Sequence, residues 1–237
     1  MAFWNKKKPQ VKPRLPQRGT SSSASKVGVE ALAPPAADYL ASAVGLQSRL
    51  IGVLAECAEQ AWASEDSQKL MGAAGHAMDR YRAFLDLLEQ YVDDVPATLA
   101  PAREKLSRHI ERLSSERWYE NLTTAYVLTG FTRDFWHLLA RGLPQGLTTR
   151  AQEILADQGD EDVMVEVLGT LLDSDERYRS RVSLWSRRLV GDVMLICRDA
   201  LSEHALASQD TDAPLEPVFT EVLAHHTRRL DRLGLTA

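Results

Sequence analysis

Residues 117–138 read Arg117-Trp118-Tyr119-Glu120-Asn121-Leu122-Thr123-Thr124-Ala125-Tyr126-Val127-Leu128-Thr129-Gly130-Phe131-Thr132-Arg133-Asp134-Phe135-Trp136-His137-Leu138. Trp118, Leu122, Ala125, Thr129 and Trp136 recur at helical spacing, and so do Glu120, Val127, Phe131, Phe135 and Leu138. Two such stripes leave little of the circumference polar, and a helix apolar nearly all round is covered on most sides. The segment is therefore predicted to run through the middle of a helical bundle. It begins near Ser115 and stops at Gly142-Leu143-Pro144, where a glycine and then a proline end the helix.

The same periodicity extends outward in both directions, and nothing alternates as a strand would, so the fold class is all-α. A first helix is predicted from about Asp38, a plausible N-cap, to Trp62, with Leu46, Leu50, Leu54 and Cys57 inward. Ser64-Glu65-Asp66 is a short break, and a second helix from about Ser67 to Val92 returns antiparallel until Pro96 ends it. A short helix over Ala102–Leu113 lies in the long stretch before the central helix. A fourth helix follows from about Thr149 to Leu172, then a fifth, capped by Ser174, to about Ala207. A polar linker, Ser208 to Pro214, leads to a last amphipathic helix ending at Gly234. Two short links flanking one long crossover, about 93–115, make two antiparallel hairpins. That connectivity is similar to the ferritin-like four-helix bundle, here with additional C-terminal helices.

Residues 1–26 hold seven of the 28 bases and none of the 33 acids, so a basic tail precedes an acidic body. Residues 1–35, rich in Pro, Lys, Ser and Gln, bury too little apolar surface to offset their ordering entropy and are predicted to be disordered. Residues 36–237 then form the bundle domain. No apolar run approaches the roughly 20 residues of a membrane span, and the basic start has no apolar stretch behind it as a secretory signal would. Cys57 and Cys197 lie in helical apolar patterns without metal or redox spacing, which suits core thiols in a reducing cytoplasm.

At the central helix the chain resembles a known family. Arg117-Trp118-Tyr119-Glu120-Asn121-Leu122, Ala125-Tyr126-Val127 and Asp134-Phe135 resemble the third helix of ferritin-like proteins related to the bacterial tRNA hydroxylase, a non-haem di-iron enzyme acting on a modified adenosine. Leu155-Ala156-Asp157-Gln158-Gly159 and Leu184-Trp185-Ser186-Arg187-Arg188-Leu189-Val190-Gly191-Asp192 are similar to the fourth and fifth helices of an actinobacterial branch. The resemblance covers about residues 38–205. It implies metal ligands that this chain has largely lost: only Glu120 matches in kind. The second-helix pair falls on Ala77 and Arg80, the fourth-helix pair on Asp157 and Asp160, the first-helix Glu near Gly52 with Glu56 a turn away, and the fifth-helix Glu on Asp192. No Glu is followed three residues later by a His, although a two-metal bundle takes that pair from two of its helices.

Periodicity independently turns Arg80 inward with Ala73, Ala77, Phe84, Leu87 and Tyr91, and Asp157 and Asp160 inward with Met164, Val167 and Leu171. A buried Arg and buried carboxylates are costly alone and tolerable together. A core charge cluster of Arg80, Glu120, Asp157 and Asp160 is therefore predicted, with the guanidinium in place of a metal. The metal candidates Glu120, Asp157 and Asp160 would hold iron only if the site works; otherwise no cofactor is expected. His76 with Asp79, and Asp134 with His137, read as surface or helix-end contacts, and His225-His226 as a solvated face. Three readings follow: a binding or scaffolding protein with a degenerate di-iron site, a non-haem iron hydroxylase with an altered site, and an accessory protein meeting RNA through its basic tail. The partner is then a protein or RNA, and assembly as a homodimer stays open.

Overall fold

The computed structural model describes residues 32–110, 113–207 and 216–235. They form eight α-helices: α1 Ala36–Gln60, α2 Ser64–Leu88, α3 Val95–Ile110, α4 Trp118–Leu139, α5 Gln145–Leu155, α6 Gly159–Ser174, α7 Glu176–Ala207 and α8 Glu216–Arg232. The basic tail lies outside the described residues except at its end, where Leu32 is buried on the core. The body therefore begins before residue 36.

Four of these helices make the bundle: α1 and α2 form one hairpin, α4 and α6 the other. Their directions follow from paired residues. The Tyr39 hydroxyl donates to the Trp136 carbonyl (3.1 Å) and the Cys57 thiol to that of Trp118 (3.6 Å), so α1 and α4 are antiparallel. Lys69 pairs with Glu166 at 2.9 Å, while Arg80 pairs with Asp160, so α2 and α6 are antiparallel too. The diagonal pair, α2 and α4, is parallel and is joined by the long crossover carrying α3. Helix α4 is buried at every residue from Trp118 to Thr132 because α1 and α6 cover one side and α7 and α8 the other. Helix α1 has the length and mean hydropathy (1.2) of a membrane span, yet 56% of that window is buried inside the bundle.

Two expected boundaries are corrected. The single fourth helix is two helices, α5 and α6, parted at 156–158 because Asp157 Oδ1 accepts from the Gly159 N–H (3.0 Å) and Gln158 leaves helical geometry (φ −118°, ψ 11°). Pro96 opens α3 instead of merely ending its predecessor. Asp94 caps that helix through the Ala97 N–H (3.0 Å), and a first-turn proline loses no helical hydrogen bond. At the far end, Gly234 (φ 64°) closes α8: the Leu235 N–H reaches the Leu230 carbonyl (3.0 Å) and the Gly234 N–H that of Asp231 (2.9 Å), as in a Schellman cap.

Candidate functional site

Arg80 sits on the buried stripe of α2 between Ala77 and Phe84, only 4% exposed. Its Nε donates to Gln47 Oε1 on α1 (3.0 Å), and Nη1 donates to Asp160 Oδ1 (3.1 Å). Nη2 donates to Asp160 Oδ2, completing a two-pronged pair with a carboxylate that is fully buried. Nη1 also lies 3.4 Å from both the carbonyl oxygen and Oδ2 of Asp157. Asp160 occupies the first turn of α6, where its Oδ1 also accepts from the Glu161 N–H (3.0 Å).

Asp157 lies at the break between α5 and α6 and is 38% exposed, so it is not the buried helical residue the sequence implied. It bridges Arg80 to His76 Nδ1 (3.1 Å). Partial burial pushes its carboxyl up, but the Gly159 N–H, His76 and Arg80 outweigh that and hold it below the usual carboxylate range. Glu120 is corrected outright. It sits in the first turn of α4, its carboxylate on the Ser115 hydroxyl and Arg117 (3.1 Å). Arg80 instead faces the stretch of α4 around Thr129 and Arg133, nine or more residues on, which at about 1.5 Å per residue is roughly 13 Å along the axis. Gly52 and Glu56 face outward on α1, and Asp192 is half-buried on α7.

Several residues of the site went unread. Gln47, 5% exposed, is the lone polar side chain on the inner stripe that carries Leu40, Val44, Leu50 and Leu54, and that isolation was the available signal. Beside Asp160, Glu161 turns the other way, toward Arg133 on α4 and Arg229 on α8 (Nε 3.2 Å). Arg229 also grips Asp134 with both terminal nitrogens (2.7 and 2.8 Å). Its side chain crosses Gly130, where any Cβ would collide with it. Burial disfavours the Arg229 cation, but Asp134 and Glu161 more than compensate and raise its pKa. The solvated His225-His226 face is corrected as well. His225 contacts Asp134 (3.2 Å), while His226 is 2% exposed against Phe131. Burial and the nearby Arg229 push its pKa down to about 4.

Next to Arg80, a cavity of about 20 Å³ is bordered by Leu50, Phe84, Leu128, Thr129, Arg133 and Trp136. That volume suits a single water. Thr129 Oγ1, Arg133 Nη1 and Trp136 Nε1 are all buried there without a protein partner, a polar setting that one bridging water would satisfy.

A family model described as a ferritin-like domain of actinomycetes matches residues 38–210. The chain belongs to that family. A search of curated proteins gives no match. In ferritin-like bundles of the di-iron type the interior presents four Glu and two His to a pair of cations. The interior of this ferritin-like domain presents Gln47, Ala77, Arg80 and Asp160 instead. Both oxygens of Asp160 are already taken by a guanidinium, so this donor set does not fit two metal ions.

Proposed function

We propose that this protein is a ferritin-like bundle whose two-metal centre has been replaced by an arginine–carboxylate lattice, and that it serves as a binding or scaffolding protein. The observation that carries this reading is the buried two-pronged pair of Arg80 with Asp160, held from the opposite helix by Gln47. A cation fixed at that place repels a metal ion and consumes the oxygens that would ligate it. Descent from a hydroxylase-like ancestor is supported by the Trp118-Tyr119-Glu120 and Arg187-Arg188-Leu189-Val190-Gly191 segments. The buried free thiols Cys57, pushed up to about 12 by burial and Glu56, and Cys197, raised by burial, suit a reducing cytoplasm.

Elemental analysis of protein produced in iron-rich medium tests the reading. The expected result is far less than one iron per chain and a melting temperature indifferent to added Fe(II) or chelator. Near-stoichiometric iron would overturn the proposal and restore the hydroxylase reading. Arg80→His combined with Ala77→Glu should raise iron retention, because it returns a Glu-x-x-His pair to the interior stripe of α2.

A further inference from the structure

Away from the interior lattice, the end of the bundle carries a cleft of about 440 Å³ between the C-terminal end of α1, the entry to α4 and the first turns of α7. That volume lies within the range of small-molecule sites. Trp62, Trp118, Tyr119 and Tyr178 line it. The Trp62 ring meets Trp118 edge-on at 5.5 Å and Tyr119 at 6.2 Å, and lies tilted to Tyr178 at 5.8 Å. Three contacts hold this ring in one place although it is 63% exposed, the most exposed aromatic ring among the described residues. A large apolar ring kept in water and braced by its neighbours is a prepared stacking platform.

The charges of the cleft are uneven. Arg117 has Glu120 at 3.1 Å and Glu116 beside it, and Arg177 has Asp175 at 2.8 Å. Among the described residues no carboxylate pairs with Arg181. Its Nη1 donates weakly to the Tyr119 hydroxyl (3.4 Å), which puts two donors side by side at the edge of the aromatic floor. We propose that this cleft binds a planar aromatic molecule bearing an anionic group, its ring against Trp62 and its carboxylate or phosphate on the Arg181 guanidinium and the Tyr119 hydroxyl. The guanidinium supplies charge and direction, and the rings supply apolar area and a π face that accepts any flat partner. The site stands whether or not the bundle interior takes metal.

Titration calorimetry on the full chain tests it with naphthoate and naphthyl phosphate as ring-bearing anions, naphthol as the ring alone, and inorganic phosphate as the anion alone. Both ring-bearing anions should bind with Kd below about 1 mM, and the tighter of the two identifies the carboxylate or phosphate class. Naphthol and inorganic phosphate should each bind at least about tenfold more weakly, and Trp62→Ala and Arg181→Ala should each cost about tenfold, as expected for losing a stacked ring or a charged hydrogen bond. Both side chains are exposed, so the variants keep the fold, and an unchanged melting temperature verifies it. Equal binding of naphthol or of inorganic phosphate, indifference of both variants, or no heat from either ring-bearing anion would overturn the proposal.

Discussion

Arg80 shows how one side chain can organise an interior. Every nitrogen of its guanidinium has a protein acceptor, from Gln47 or from the two aspartates, and the paired Asp160 is fully buried. Arg80→Leu should therefore cost about 3–5 kcal/mol in denaturant unfolding, the penalty for stranding a buried charge. Adding Asp160→Leu should return at least half of that loss, because well-packed apolar residues can replace a buried pair nearly neutrally. His226 sets a pH dependence. Its folded pKa is about 4 against 6.5 for a free imidazole, so the unfolded chain binds the proton more readily than the folded one. Its contribution is intact above pH 6.5 and is lost as pH falls toward 4, by up to about 3 kcal/mol. The groups facing His226 include Arg229, which depresses its pKa, and Asp134, which opposes that shift. His226→Phe should flatten the fall in urea midpoint between pH 7 and pH 4.5.

Helix α8 is anchored by its apolar stripe and by Arg229, which passes over Gly130 to reach Asp134 and Glu161. Gly130→Ala sets two effects against each other. Alanine favours a helix interior by about 1 kcal/mol, while displacing Arg229 breaks a buried ion pair worth about 3–5 kcal/mol to disrupt. The second is larger, so a net loss of about 2–4 kcal/mol is expected. Hydrogen exchange should localise the damage, with α8 amides exchanging faster while α1 and α2 keep their protection. The first turn of α6 works on the same scale: at about 100° per residue, consecutive Asp160 and Glu161 reach different neighbours, one Arg80 and the other Arg229.

For the whole molecule, the boundary between tail and body is the testable quantity. Removing residues 1–31 should leave the melting temperature within a few degrees. Removing residues 1–35 also takes away the buried Leu32, which should cost about 2 kcal/mol, a fall of about 4–8 °C for a domain of this size. Equal effects of the two truncations would show that Leu32 contributes nothing to the core.

The bundle could be read from the chain because its causes are local. The period of Trp118–Leu138 reports a helix covered on most sides, and the contrast of short and long links sets the order of the hairpins. Arg80 was legible for the same reason, as one charge on an otherwise apolar stripe. The partners of that charge were not, since pairing depends on how far each helix slides along its neighbour, and periodicity carries no information about that register. Glu120 fell outside the lattice because α4 meets α2 nearer Thr129 than its own first turn. Glu161 and Arg229, 68 residues apart, look like ordinary surface charges until α8 folds back over Gly130. Sequence by itself determined the helical class, the order of the hairpins and the single charge on the inner stripe of α2. Tertiary structure alone decided which carboxylates answer that charge, because only packing brings distant helices to one place and makes the burial of their charges tolerable.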